Sequence, residues 1–385
     1  MADIYIAPTG NDTTGDGSTG NPYLTLAKAV TMASASDTIK VKEGTYTVAD
    51  TVAVSLSGLI IESEDQDASK VTFKTSTTGN FVIQLNNQVT APQLRYVTVE
   101  ARFGVVMRRN FTSGADVVVH HCHIHPGSDT SDTQTGIQTL GNYGNNDFYI
   151  YNNYIHNYAA SSGYGIDTVN SGWNSDNIII KNNIITGCGK GIYISPNLAS
   201  FTEDYNCFDD NTSDLWGYAD GEWKEFDKTA HDIVDDPDTD VDGKITTASP
   251  CYDTGVVASP YTDGYSGTAP DIGWYEATAG TLTVTTQAVT PVNYSSVTFN
   301  GNITDVSSGN ATRRGFEYGL DTGYGSDVHT DGDYGTGVYT IKATSLAPGI
   351  AYHGRAYVIN GGGTSYGNDV EFTMKASPFA SFYRQ

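Results

Sequence analysis

The sequence predicts an all-β chain: a solenoid of short stacked coils with an N-terminal cap, followed by a small antiparallel β-sandwich. Three observations carry this. A phrase recurs with drift, as Val119-His-His-Cys-His-Ile124, Ile150-Tyr-Asn-Asn-Tyr-Ile155 and Ile180-Lys-Asn-Asn-Ile-Ile185, with a looser echo at Leu94 to Val99. A Gly-plus-β-branched step accompanies it at Gly104-Val105, Gly136-Ile137, Gly165-Ile166 and Gly191-Ile192, the glycines lying 32, 29 and 26 residues apart. A repeat of that length made of β-branched strands and Asn/Gly turns suits a solenoid, whose coils bury their apolar faces only against one another. After Gly280 the pattern changes to strand-like runs separated by Gly/Asn/Asp turns.

At 385 residues the chain has room for more than one domain. Its formal charge is −24 and is uneven: eight acidic and six basic residues follow Thr281, leaving 36 acidic and 14 basic before it. A surface that acidic repels nucleic acid and anionic membranes, and repels anionic polysaccharides unless cations bridge them. Glycine (42) and tyrosine (26) are abundant, which suits turn-rich β structure with polar aromatic surfaces. No stretch approaches the ~18 apolar residues of a membrane span, so membrane insertion is not expected. The opening Met1-Ala-Asp-Ile-Tyr has no basic or apolar leader region, so the expectation is a mature chain or one released without a classical signal, for example by lysis within a virion. Cys122, Cys188, Cys207 and Cys251 allow three pairings; buried free thiols are the expected state.

Along the chain, Ile4 and Ile6 alternate with polar residues as a strand, and a Gly/Asp/Thr loop runs from Thr9 to Asn21. Tyr23 to Ala35 carries the helical pattern, with Leu24, Leu26, Ala27, Val30 and Ala33 able to cover the open end of a solenoid. Such a cover protects an otherwise sticky strand edge. Strands are predicted at Thr38–Val41, Leu59–Glu62, Val71–Lys74 and Phe81–Leu85, and the coils then run to about Asp209. Period-2 alternation places Ile137, Ile166 and Ile192 inward, and Gln138, Asp167 and Tyr193 outward as one stack. Val119, Ile150 and Ile180 point inward in the later strand. Cys122, Asn153 and Asn183 share a turn position where amides can hydrogen-bond from coil to coil.

Tyr5-Ile-Ala-Pro-Thr-Gly-Asn-Asp12, Asn21-Pro-Tyr-Leu-Thr-Leu-Ala-Lys-Ala-Val30 and Ser36-Asp-Thr-Ile-Lys-Val-Lys-Glu-Gly-Thr-Tyr46 resemble the opening of right-handed parallel β-helix proteins of the pectate-lyase-like superfamily. Ser249-Pro-Cys-Tyr-Asp-Thr-Gly255 and Pro270-Asp-Ile-Gly-Trp-Tyr-Glu276 resemble its closing segment. The resemblance implies a capped right-handed parallel β-helix over residues 1–277. It leaves activity open, because the superfamily holds lyases, hydrolases, epimerases, phage tailspikes and inert binding surfaces.

Strand-like runs follow at Leu282–Thr286, Ser296–Asn300, Arg314–Tyr318, Gly337–Ala343, Ala351–Asn360 and Asp369–Met374, enough for a sandwich over residues 281–376. Arg314-Gly-Phe-Glu-Tyr-Gly319, Leu346-Ala-Pro-Gly-Ile-Ala-Tyr352 and Arg355-Ala-Tyr-Val-Ile-Asn360 resemble a fibronectin type III-like module, which implies a spacer, docking unit or weak sugar binder. The aromatic tail, residues 377–385, is expected either to dock on a neighbouring subunit or to pack on its own domain.

Four features could carry chemistry. The first is the outward stack of Gln138, Asp167 and Tyr193, with Arg108 nearby. Lyases of the resembled fold need several carboxylates to hold calcium and a Lys or Arg base; hydrolases need two or three carboxylates about the scissile bond. Asp167 is the one carboxylate that the alternation puts on that sheet, so a solvated sugar-contacting role is favoured over catalysis by Asp167 and Arg108. The second is His120-His-Cys-His-Ile-His125 with His156 one coil later, read as a surface polar ladder because a flat row presents ligands poorly to zinc or nickel. The third is Asp235-Asp-Pro-Asp-Thr-Asp-Val-Asp-Gly243, where Asp238, Asp240 and Asp242 resemble a calcium loop lacking its distal glutamate (Ser249 stands there); structural calcium and a solvated connection remain equal readings. The fourth is aromatic: Tyr143, Tyr158, Tyr164, Trp173 and Tyr193, interleaved with Asn, Ser and Gly, suit saccharide C–H faces, and packing of the loops onto the helix is an equal reading.

The expectation is therefore a non-enzymatic extracellular or virion-exposed protein, of the phage tail or capsid appendage type, that presents a β-helix to polysaccharide or cell-surface glycans. It requires no cofactor. A polysaccharide lyase or hydrolase is the alternative, and a structural protein assembling as homo-oligomer or virion component is a third.

Overall fold

A computed structural model describes residues 2–75, 80–86, 88–108, 116–129, 131–140, 147–168, 177–196, 200–262, 265–277, 282–290, 292–306, 310–360 and 363–377. The chain divides into two compact units, Met1–Ala277 and Thr278–Gln385.

The first unit is a parallel β-helix of three eight-stranded sheets. Each coil contributes one strand to each sheet, as in Asp147–Tyr151, Tyr154–His156 and Ser162–Asp167, which lie in the first, second and third sheets. The repeated phrase spans the first two. Its corner is a residue in left-handed backbone, Tyr96, His121, Asn152, Asn182 or Tyr205 in successive coils. Asparagine and histidine tolerate that conformation better than most side chains, while the tyrosines adopt it against their steric preference.

The next residue makes the expected ladder, and one member more. Asn153 Oδ1 accepts the Cys122 amide at 3.0 Å, Asn183 Oδ1 the Asn153 amide at 3.0 Å, and Asn206 Oδ1 the Asn183 amide at 3.0 Å. Asp232 ends the series, accepting the Asn206 amide at 2.8 Å. These asparagines are fully buried, so the bonds pair backbone groups that the corner would otherwise strand without partners.

In the third sheet Ile137, Ile166, Ile192 and Leu215 stack in register inside the coil. The glycines before the isoleucines face inward as well. A Cβ on Gly165 would meet Ile185 Cγ2 at 3.1 Å and the Gly191 carbonyl oxygen at 2.7 Å. Two consecutive inward residues shift the outward set, so Tyr164 and then Asp167 emerge on the outer face, while Lys190 and then Tyr193 do so one coil later.

The N-terminal helix is Leu26–Met32, shorter than the Tyr23–Ala35 pattern. Asp12 accepts the backbone amides of Leu24 and Thr25 and the Thr25 hydroxyl, so the chain stays extended to the Thr25 N-cap. At the other end the coils continue past Asp209, through Leu215–Ala219, its antiparallel partner Glu222–Glu225, and Ile233–Val234. Residues 235–262 and 265–277 then run back along the outside. Asn152 Nδ2 donates to the Asp271 carbonyl at 2.8 Å and Asn182 Nδ2 to the Val256 carbonyl at 2.8 Å, while Trp274 Nε1 donates to the Asp242 carbonyl at 3.0 Å. Tyr154, Ile184, Cys207, Ile245, Cys251, Ile272 and Trp274 form the small apolar cluster beneath this segment. All four cysteines are free and buried, and burial pushes the Cys122 and Cys188 thiols up to about 12.

One carboxyl faces into the last coil. Glu203 pairs in register with Ile180 and is pushed up to about 8, mainly by burial and then by the charge of Asp232. A carboxyl raised above its unfolded value of 4.5 binds more protons in the folded state, so its contribution to stability is complete below about pH 4.5 and is lost as pH rises through about 8. Glu203→Gln keeps an acceptor for Asn206 Nδ2 without the charge, and should raise stability at pH 8.5 by at least about 1 kcal/mol while leaving pH 4.5 nearly unchanged. Thermal melts at the two pH values decide it; equal shifts at both would contradict the assignment.

The second unit is a two-sheet antiparallel sandwich. Leu282–Gln287, Ser296–Val306 and Gly337–Thr344 form one sheet; Ser326–Tyr334, Ala311–Gly319, Ala351–Asn360, Gly363–Tyr366 and Val370–Thr373 form the other. Val297, Phe299, Phe316, Ala356 and Val358 are buried between them. Ser326–Tyr334 and Gly363–Tyr366 were not legible as strands, because their residues are almost all polar and exposed and show no alternation. No helix among the described residues is long and apolar enough to cross a membrane.

Candidate functional site

The outer face of the third sheet brings together more than the sequence located. Gln138, Asp167, Tyr193 and Trp216 are register partners in successive coils. Gln138 Nε2 donates to Asp167 Oδ2 at 2.9 Å. Asp167 is only 3% exposed, so the expected solvated carboxylate is instead a buried one that helps to hold the row. Arg108 is exposed on this face, paired in register with Leu140 and Asn86 rather than with Gln138.

Beside the row runs a strip of rings. Tyr164 and Tyr193 have centroids 5.1 Å apart, Tyr193 and Trp223 stack at 5.6 Å, and Tyr218 meets Trp223 edge-on at 5.2 Å. Lys190 Nζ lies 5.7 Å from the ring centroids of both Tyr164 and Trp216. Burial and the nearby Asp167 carboxylate both raise the Tyr164 and Tyr193 hydroxyls, Tyr193 also feeling Tyr164, so these remain neutral donors. Trp223 is 48% exposed and Tyr218 40% exposed. Trp216, Tyr218 and Trp223 were missed because the repeat phrase fades after Asp209; the Trp-Gly-Tyr…Gly-Glu-Trp hairpin at 216–223 was the available signal.

Tyr158 is not part of this surface. It is fully buried inside the coil, its hydroxyl donating to the Ala101 carbonyl at 3.1 Å. Tyr143, Trp173 and the tail beyond Ser377 lie outside the described residues.

A second carboxylate joins Asp167 on this face: Glu225, opposite Trp216 on the antiparallel strand. Asp167 and Glu225 are separated by three strand intervals, about 14 Å at the ~4.8 Å strand spacing. The carboxyl pairs of glycosidases stand roughly 5–9.5 Å apart, so a backbone separation of about 14 Å is wide for such a pair.

The histidines form a packed cluster. His123 Nε2 and His156 Nε2 are 2.7 Å apart, and His125 stands 4.8 Å from the His123 ring and 5.2 Å from the His156 ring. The left-handed corner at His121 breaks the alternation, turning its ring Nδ1 onto that of His120 at 2.8 Å. Burial holds His121 and His156 down to about 3 and lowers His120, His123 and His125, so the cluster is uncharged at neutral pH.

The acidic loop is organised by backbone amides. Asp240 Oδ1 accepts the amides of Asp242 and Lys244, each at 2.9 Å, and Asp236 Oδ1 accepts that of Asp238 at 2.9 Å. Asp238, Asp240 and Asp242 do not converge on one point, and no group of three or more His, Cys, Asp or Glu that could hold a metal ion occurs among the described residues.

No protein-family profile matches the chain, and no curated protein matches it in sequence. Among solved structures it is similar to the pectate lyase Pel9A, at 14% identity and a TM-score of 0.33 over 72% of this chain and 96% of that one. It is also similar to a rhamnogalacturonan lyase (13%, 0.28, over 56% and 70%) and to the pectin methylesterase PemA from Erwinia chrysanthemi (10%, 0.23, over 59% and 92%).

Proposed function

We propose that this protein binds an extended, uncharged glycan along the outer face of the third sheet without cleaving it. The observation that carries the reading is the run Tyr164, Tyr193, Trp223 and Tyr218, a line of rings that crosses successive coils. Sugars lay their C–H faces on such rings, while Lys190 and the tyrosine hydroxyls supply hydrogen bonds at the margin. The strong negative charge of the first unit disfavours anionic chains. The wide backbone separation of Asp167 and Glu225 favours binding over hydrolysis at that pair. An extracellular or virion-surface setting belongs to this reading, as the place where a protein meets such polymers.

The fibronectin type III-like reading of the second unit is part of the same proposal. Its support is the division of strands between the two sheets and the tyrosine corner, where the Tyr352 hydroxyl accepts the Ala347 amide at 3.0 Å.

Trp223→Ala combined with Tyr193→Ala should weaken binding of a neutral polysaccharide at least tenfold, about 1.4 kcal/mol or more. The melting curve should remain close to that of the parent. Affinity electrophoresis in gels carrying each polysaccharide reads the change. Retained mobility shifts in the double variant would overturn the binding face, and release of unsaturated or reducing ends by the parent would replace binding with lyase or hydrolase action.

A further inference from the structure

We propose that the second unit carries a separate saccharide site, a groove on the outer face of its larger sheet that takes a short stretch of neutral sugar chain; it shares with the reading above the expectation of a glycan partner. The groove encloses about 650 Å³, and Glu317, Tyr324, Asp327, Arg355, Tyr357 and Tyr366 are its chemically active lining. Alternation explains why they are there. Phe316, Ala356 and Val358 point into the sandwich, which turns Glu317, Arg355 and Tyr357 to the opposite face.

The groove is built before any ligand arrives. The Arg355 guanidinium carbon lies 3.8 Å from the Tyr366 centroid and 4.6 Å from the Tyr324 centroid, so the cation is held between two rings. Tyr324 is kept in left-handed backbone at φ +54°, and its hydroxyl donates to Asp369 Oδ1 at 3.1 Å. Gly319 makes room for that turn, since a Cβ there would stand 1.6 Å from the Tyr324 carbonyl oxygen. The Tyr357 ring lies across Gly315, and its hydroxyl donates to Asp327 Oδ2 at 2.9 Å.

The chemistry left open selects the ligand. Arg355 already occupies the place between the rings that a cationic ligand would seek, so the groove is not an open cage for cations. Arg355 Nε and Nη2 both donate to Glu317 Oε2, at 3.0 and 2.8 Å, and Asp327 Oδ2 takes both Tyr357 and His329. Glu317 Oε1 and Asp327 Oδ1 are thus left as acceptors without a donor among the described residues. Carboxylate oxygens beside an aromatic ring suit the vicinal hydroxyls and apolar face of a pyranose. Glu317 offsets the charge of Arg355 and Asp327 leaves the groove negative, which disfavours carboxylated or sulfated sugars.

The test uses the full chain and two readouts in titrations with neutral gluco-, manno-, galacto- and xylo-hexaoses, polygalacturonate and a basic peptide. All four tryptophans precede residue 275, so tryptophan emission reports on the first unit and calorimetric heat reports on both. The expected result is a heat component silent in emission, weakened at least tenfold by Tyr366→Ala and at least fivefold by Asp327→Asn, and unchanged by Trp223→Ala. Both substitutions lie on an exposed face, and the isosteric Asp327→Asn guards against an effect of folding. The proposal is overturned if no hexaose gives heat that Tyr366→Ala removes, or if the Tyr366-dependent ligand is polygalacturonate or a basic peptide instead. Loss of the emission-linked signal alone would sink the ring strip on the first unit and leave this site standing.

Discussion

Replacing Asn183 with alanine should destabilise the solenoid by about 3–5 kcal/mol, since several buried partners each lose roughly 1–3 kcal/mol of satisfaction. The two hydrogens of Asn183 Nδ2 serve three acceptors, the Ile150 and Lys181 carbonyls, each at 2.9 Å, and Asn206 Oδ1 at 3.0 Å, one of them shared. Its Oδ1 accepts both the backbone amide and the side-chain amide of Asn153, at 3.0 and 2.9 Å. Alanine removes all of these at a fully buried corner where water cannot substitute. A melting temperature lower by roughly 10 °C is the expected reading for a unit of this size. Cys122 provides the comparison. Its amide, which alanine keeps, donates to Asn153 Oδ1, and its thiol donates only weakly to the Leu94 and His120 carbonyls at 3.6 and 3.4 Å, so Cys122→Ala should cost about 1 kcal/mol, the loss of a small buried side chain. Equal effects at the two positions would mean that the amides do not act as a coil-to-coil ladder.

Gly136→Ala should be comparably damaging, at about 3 kcal/mol, because the added methyl has no space to enter. A Cβ there would stand 2.6 Å from the Gly165 carbonyl oxygen, 2.9 Å from Tyr158 Cε2 and 3.0 Å from Ile155 Cγ2. The nearest atom is backbone of the next coil, which cannot retreat without loosening the sheet. Tyr158 cannot retreat either, since its hydroxyl is anchored to Ala101. Gly20→Ala is the control, with nothing within 4 Å of its Cβ and no left-handed backbone, and should change stability by less than about 0.5 kcal/mol. Chemical denaturation with a common m-value separates the two. A Gly136→Ala protein as stable as the Gly20→Ala protein would show that adjacent coils are not packed backbone to backbone here.

Both effects fall on residues that the repeat made visible. Glycine and asparagine recurring at fixed stations signal a local backbone requirement, and a requirement met in every coil leaves a periodic trace. The aromatic strip leaves a weaker one. Tyr164 and Tyr193 are readable from the register, but Trp216, Tyr218 and Trp223 come from a hairpin outside the repeat phrase. Burial is what the alternation leaves open. Tyr158 sits next to a turn yet fills the core, and Asp167 points away from the core yet is 3% exposed. Alternation assigns a face to a side chain, while exposure depends on what later segments lay upon that face.

By itself the sequence determined the solenoid, its inward isoleucine stacks, the asparagine corners and the sandwich that follows. Each rests on period, turn chemistry or composition, which act between neighbours along the chain or between equivalent positions of adjacent coils. Only the tertiary structure decided the return of residues 235–262 and 265–277 over the corners, the inward Glu203, the ring strip and the Tyr324–Arg355–Tyr366 groove. These unite residues that have no fixed spacing, so the angle of a hairpin and the path of a closing segment place them together, and neither is written in any repeat.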